Sequence, residues 1–412
     1  MAKSSVRSIG ACRASLAGAI ERRVLVDATK ERIIAAVDSL RPVVQDIAVS
    51  LYEKPELGLQ EVFASQKLTG VLKDAGFSIE TGTGGLPTAF LARHGEGRPV
   101  IAFMGEYDAL PEIGHGCGHN LMGATAVACG IAMSRVLPDK PWIVLGTPAE
   151  ETIGGKVTMA DAGVFDEVDA ALIAHPGQRN SVGGGVHWAS HPLEITFRGR
   201  SAHAGGNPQG GINALDACVA AYTAIRNLRH QLTDAVRIAG IISHGGGAQN
   251  VIPDFAQLRF TLRSTDWKYL ENTIIPKVKR CAEGAAAMYG ASVEFRHHEQ
   301  LFRDTLDHPI LQDLCRANFE LIGEELPPPI PGAGGGVTDV GNVTWVTPCI
   351  QIGYKMSDAR GHSREMADAT VTPAGIDAAL KATKVLCLTA YDLVSKPELL
   401  REAREFLEKR RG

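Results

Sequence analysis

The sequence predicts an α/β protein: a mixed sheet covered by helices, interrupted by an inserted ferredoxin-like α+β unit. Three observations carry this. Short apolar runs alternate with helical patterns from about residue 27 to 175. After Trp188 the texture changes to half-exposed strands in the order β-α-β-β-α-β. Past residue 298 the helix–strand pattern of the first part resumes. The expected division is 1–188 plus 298–412 for the α/β domain and 189–297 for the insertion.

The elements follow in order. Ile33, Ile34, Val37, Leu40, Val44, Ile47 and Leu51 recur at three and four residues, so one helix is expected from Asp27 to Lys54, ended by Pro55. Phe63–Ala75 reads as a second helix, closed by Gly76. Phe77–Glu80, Thr88–Ala92 and Pro99–Met104 read as strands, and the last is apolar enough to be buried. Gly123–Leu137 is helical and rich in small residues; Trp142–Leu145 and Ala170–Ile173 are two more buried strands. In the insertion, Leu193–Phe197, Arg237–Ser243, Gln257–Arg263 and Ala291–His297 are strands, with helices over Asn213–Leu232 and Leu270–Tyr289. Asp307–Ile322 is a helix, Pro327–Pro331 a link, Cys349–Ile352 a strand, and a last helix starts near Thr372.

Composition excludes other classes. With 412 residues, 45% hydrophobic and 21% charged, the chain is globular and fits two or three folding units. A net charge of −4 provides no basic field for a nucleic-acid backbone. No apolar run approaches the ~20 residues that span a bilayer, so no membrane association is expected. The first 23 residues carry Lys3, Arg7 and Arg13 beside a short, broken apolar stretch and read as a cytosolic leader, which makes a cytoplasmic location the expectation. Eight cysteines include no CxxC pair, and all but Cys117 read as buried small hydrophobes. The 45 glycines, about a tenth of the chain, cluster beside histidines.

Four clusters carry chemistry. Gly105-Glu106-Tyr107-Asp108-Ala109-Leu110-Pro111 and Gly114-His115-Gly116-Cys117-Gly118-His119-Asn120 follow the Pro99–Met104 strand, where α/β sheets place ligands. A thiolate and an imidazole two residues apart make half of a metal site; a glycine-rich turn holding a buried cysteine is the plainer alternative. Glu150 and Glu151 follow the Trp142–Leu145 strand, as an acid pair neutralised by a cation or as a solvated helix N-terminus. His175 and His362, each weak alone, complete five ligand-competent side chains with Cys117, His119 and Glu151. Lys156 in Gly154-Gly155-Lys156-Val157 fails the phosphate-loop spacing, and no GxSxG motif occurs.

Taken together, GEYDALPEIGHGCGHN, GTPAEE, DAALIAHP, SAHAGGNPQGGINALDA, NVIPD and VTDVGNVTWVTP resemble the M20 metallopeptidase/amidohydrolase family. The nearest branch is the one with p-aminobenzoyl-glutamate hydrolase subunits, indole-acetyl-amino-acid hydrolases and aminoacylases, and the match runs in order from about residue 30 to 385. The resemblance implies a catalytic α/β domain holding two divalent ions, Mn or Zn, and an insertion that serves as lid and homodimer interface. It makes Cys117, His119, Glu151, His175 and His362 metal ligands, Glu150 the general base and Asp108 a supporting acid. It makes His203 an oxyanion donor acting in the partner subunit's site, and Asn250 and Arg263 the holders of a substrate carboxylate. Where the wider superfamily has a ligand histidine two residues before the acid matched by Asp108, this chain has Glu106. Gly205-Gly206 and Arg364 also depart from the pattern close to where substrate should sit. The expected reaction is hydrolysis of the amide bond in a small N-acyl or N-aroyl amino acid or a dipeptide-like molecule. The alternatives are a hydrolytic deaminase of a small aromatic acid and an inert metal-bound binding subunit.

Overall fold

The computed structural model describes residues 27–183, 187–297, 299–328 and 336–411. The leader, Cys12, Gly184, Gly185, Gly334, Gly335 and Pro329–Pro331 of the proline-rich link lie outside the described residues. Thirteen strands are described: β1 (Ser78–Thr81), β2 (Phe90–His94), β3 (Ile101–Gly105), β4 (Trp142–Gly146), β5 (Ala170–Gly177), β6 (Ser181–Val182), β7 (Ala189–Arg198), β8 (Ala202–His203), β9 (Val236–His244), β10 (Val251–Ile252), β11 (Phe255–Ser264), β12 (Ser292–Arg296) and β13 (Cys349–Lys355).

A mixed seven-stranded sheet has the order β1-β2-β4-β3-β5-β13-β6. Its central strands β4, β3, β5 and β13 are parallel, so their C-terminal ends share one edge. Strands β3 and β4, and β5 as far as Ala174, are buried on both faces, as their unbroken apolar runs require. The helix His119–Val136 is buried along almost its whole length. Its small residues let it lie close to the sheet: a side chain on Gly105 would come within 2.8 Å of Ala126 Cβ, and one on Gly130 within 2.4 Å of Val144 Cγ2.

The α/β expectation holds, with three differences. The first long helix is two, Ala28–Ser39 and Arg41–Glu53. The break falls at Leu40, just before Pro42, whose missing N–H suits a helix start and not an interior. The Gly123–Leu137 helix begins earlier, at His119, because Gly118 takes a left-handed turn (φ 81°) and opens it. Strand β5 runs beyond its apolar core to Gly177, since β13 pairs with it throughout (Gly353 opposite His175, Lys355 opposite Gly177). His175 therefore lies within a strand, not past its end.

The insertion folds as a four-stranded antiparallel sheet, order β12-β7-β11-β9. Helices Ala214–Asn227 and Ile275–Tyr289 pack on it around a core of their own that includes Leu193, Phe197, Leu258, Phe260 and Val278. A two-stranded ribbon of β8 and β10 projects from it. Among the described residues no helix is long and apolar enough to cross a membrane.

Candidate metal centre

The parallel strands deliver the chemistry to one edge. The chain leaves β3 at Gly105 and presents Glu106 and Asp108; it leaves β4 at Gly146 and presents Glu150 and Glu151; β5 carries His175. The backbone N–H of Thr147 donates to Gly105 O (2.9 Å) and that of Glu151 to Asp108 Oδ2 (2.9 Å), which locks the two loops together.

Among the described residues three groups of ligand atoms lie close enough to share an ion, each within 4.8 Å: Cys117, His119 and His175; Cys117, Glu151 and His362; and Glu106, His119 and Glu150. The first two share Cys117. All five predicted ligand side chains thus converge, from residues far apart in the chain. Cys117 Sγ is 3.4 Å from His175 Nε2, and His362 Nε2 is 3.3 Å from Glu151 Oε1. His119 Nδ1 donates to Asp108 Oδ1 (2.9 Å), and His175 Nδ1 donates to Pro176 O (2.7 Å). An acceptor on Nδ1 fixes the tautomer and leaves the Nε2 lone pair facing the cluster, the usual support of a ligating histidine. The other histidine beside Cys117, His115, is buried but joins none of the groups.

Local backbone geometry sets these positions. His362 has φ 59° and donates its N–H to Gly116 O (2.9 Å), which ties a late loop to the Cys117 turn. Ala149, with φ 61°, is in the left-handed region that a side chain disfavours, and its N–H is held by the buried Glu61 (2.8 Å). Gly118 packs on the proline after His175: a Cβ there would meet Pro176 Cγ at 2.4 Å. Gly118→Ala is therefore expected to cost on the order of 1–3 kcal/mol, seen as a lowered thermal midpoint. Gly284→Ala, on an open helix surface with no neighbour within 4 Å, is expected to raise it.

Electrostatics favour cations here. Burial pushes the Cys117 thiol up to about 11 and holds His175 down to about 4, leaving a neutral imidazole. Burial raises Glu150 well above the carboxylate range, reinforced by the charges of Glu106 and Asp339. At His119 burial opposes charge, but Cys117, Asp108 and Glu106 outweigh it and push the ring well up. The acids around His119 thus favour positive charge at that ring.

Behind the cluster lies a feature that sequence reasoning missed. Lys156, set aside as a failed phosphate loop, is fully buried between Glu106 Oε1 (2.5 Å) and Asp339 Oδ1 (2.8 Å). Lys156→Met would leave two buried carboxylates without their counter-ion, an expected loss of ~3–5 kcal/mol. Adding Asp339→Asn should recover part of the lost thermal midpoint. The sequence signal was a lysine directly after a Gly-Gly pair, at the start of an element with little polar surface; only the tertiary fold shows that it points inward.

The insertion residues do not join this cluster. His203 is exposed on β8, beside Val251 of β10. Its Nδ1 accepts from the N–H groups of Gly205 (3.1 Å) and Gly206 (2.9 Å). The glycine pair thus fixes the ring with its proton on Nε2. Asn250 is exposed, and its carbonyl accepts from Ala204 N–H (2.9 Å). Arg263 is half-buried on β11, opposite Ser190 of β7 and Arg237 of β9. Arg364, the other departure, lies over the Tyr52 ring and bonds Asp368 (3.1 Å).

A thiol, three histidines and paired acids gathered at one edge of a parallel sheet make the donor set of a metal centre. The model of peptidase family M20/M25/M40 matches residues 102–391, and the chain belongs to that family. It is a C–N bond hydrolase. It is 32% identical to the Xaa-Arg dipeptidase of Mus musculus over 407 residues, covering 94% of this chain and 93% of that one. A p-aminobenzoyl-glutamate hydrolase subunit from Escherichia coli K12 is 34% identical over 63% of this chain and 59% of its own. In fold the chain is similar to a dinuclear metal-binding M20 peptidase from Bacillus subtilis, with TM-score 0.62, 21% identity, and coverage of 84% and 98%.

Proposed function

We propose that the chain uses metal-activated water to cleave the amide bond of a small N-acyl or N-aroyl amino acid or a dipeptide-like substrate. The observation that carries this is the pair of ligand groups sharing Cys117, with the His119 and His175 Nε2 lone pairs turned into them. These residues fit two divalent ions. Thiolate and imidazole suit zinc, and carboxylate and imidazole suit manganese as well. Bound there, such ions bring the pKa of water toward ~7.

The chain supplies the rest. Asp108 holds His119 in its ligating tautomer. Glu150 takes the proton of the attacking water and returns it to the leaving amine. The described residues before 189 and after 298 form the catalytic domain and 189–297 the lid, which pairs with a second copy. His203, with its proton on Nε2, donates to the oxyanion in the partner's site. Asn250 and Arg263 hold the substrate carboxylate, for which a guanidinium fork is suited.

The relatives' names support an amide or peptide bond as the target and put Xaa-Arg dipeptides and p-aminobenzoyl-glutamate first in a substrate panel. The expected result is release of the free amino acid, lost on chelation and restored by Mn or Zn. Release of ammonia from an amino-substituted benzoate, with every amide left intact, would replace this reading with the deaminase. No turnover by fully metal-loaded protein would leave the inert binding subunit.

A further inference from the structure

We propose that Glu106 is a sixth metal-ligating side chain, adding a carboxylate oxygen beside His119 on the ion that His119 holds. This rests on the proposed metal centre and goes beyond the five ligands that the sequence motifs supply.

Two acids address His119 from opposite sides of its ring. Asp108 Oδ1 accepts the Nδ1 proton at 2.9 Å. Glu106 Oε2 lies 3.1 Å from Nε2. The second contact lacks hydrogen-bond geometry: Oε2 and Nε2 are both buried without a hydrogen-bond partner. A proton on Nε2 therefore does not reconcile them, and without one two lone pairs face each other. A shared cation reconciles them directly. Ligand atoms bound to one tetrahedral zinc at ~2.0–2.2 Å sit about 3.3–3.6 Å apart, slightly wider than the 3.1 Å seen here.

The rest of Glu106 is arranged for this. It is 1% exposed, so Oε2 has no water to turn to. Its other oxygen is held by Lys156, which Asp339 holds in turn, so the side chain is charged, aimed and unable to swing away. Asp339 Oδ2 also accepts the Lys156 backbone N–H (2.9 Å), which fixes the group to the start of the helix Gly155–Asp161. An unpaired oxygen at the end of so rigid a group is costly unless it meets a cation. Glu106, His119 and Glu150 also form a third cluster of ligand atoms within 4.8 Å, so Glu106 meets the centre through His119.

Zinc titration against a competing chelator tests this. Wild-type protein should take up two ions. Glu106→Gln should hold one of them at least ~10-fold more weakly, no less than is lost when a partner behind a ligand is removed, and the other at wild-type affinity. Two ions at wild-type affinity in folded Glu106→Gln would overturn the role of Glu106 and leave the two-ion centre standing. No zinc uptake by the wild type would overturn both. If Glu106→Gln does not fold, the zinc-bound wild-type crystal structure decides: Oε2 at ~2.0–2.2 Å from an ion supports the assignment, and Oε2 outside ligand distance of any ion overturns it.

Discussion

Glu150→Gln should keep both metal ions and the thermal midpoint of the wild type while turnover falls ~10²–10⁴-fold, the range for a lost general base. Glutamine keeps the size of the side chain and matches the neutral acid that burial and the charges of Glu106 and Asp339 favour at this position. The fold therefore loses nothing by the change. Glu150 shares a cluster of ligand atoms only with Glu106 and His119, and every ligand in the two groups that contain Cys117 stays in place, so both ions should be retained. Metal analysis beside steady-state kinetics separates the outcomes. Turnover within ~3-fold of wild type would remove Glu150 from the proton path, whereas the expected loss is tenfold for each ~1.4 kcal/mol of transition-state stabilisation withdrawn.

Cys117→Ala should be the most damaging single change to metal binding, because Cys117 is common to both groups. Substituting His175 or His362 removes one ligand from one group. Removing the thiol takes a ligand from both, and the alanine methyl offers no lone pair in its place. Metal content should fall below one ion per chain under conditions that saturate the wild type, and hydrolysis should become undetectable. His362→Ala, by contrast, should keep the ion held by Cys117, His119 and His175. Its ring is the most exposed of the set, with 58% of the side chain accessible, so its loss should cost little stability. Equal metal loss in the two variants would argue against a shared sulfur.

Much of the centre was legible because parallel strands write themselves plainly. Runs such as Ile101–Met104 and Trp142–Leu145 are apolar on both faces, and their ends locate Asp108 and Glu151. The Cys117–His119 spacing marked the turn, and the resemblance to known motifs tied His175 and His362 to it. What was not legible depended on tertiary surroundings. Pairing with β13 extends β5 past its apolar run and absorbs His175 into the strand. Burial of Lys156 follows from the packing of Glu106 and Asp339, which lie on opposite sides of it in sequence and far apart. Glu61 bears no motif, yet it steadies the strained Ala149 and so the loop that bears Glu150. The break at Leu40 was hidden because the apolar spacing runs on across it, and only Pro42 hinted at it.

Cys117 Sγ belongs to both groups, so two ions held by them would share it. Crystals of the protein loaded with zinc or manganese, measured across the metal absorption edge, test this most directly. Two anomalous peaks are predicted, one among Cys117, His119 and His175 and the other among Cys117, Glu151 and His362, with Cys117 Sγ at ~2.3 Å from each if the metal is zinc. A single peak, or two peaks without Cys117 Sγ between them, would contradict the account.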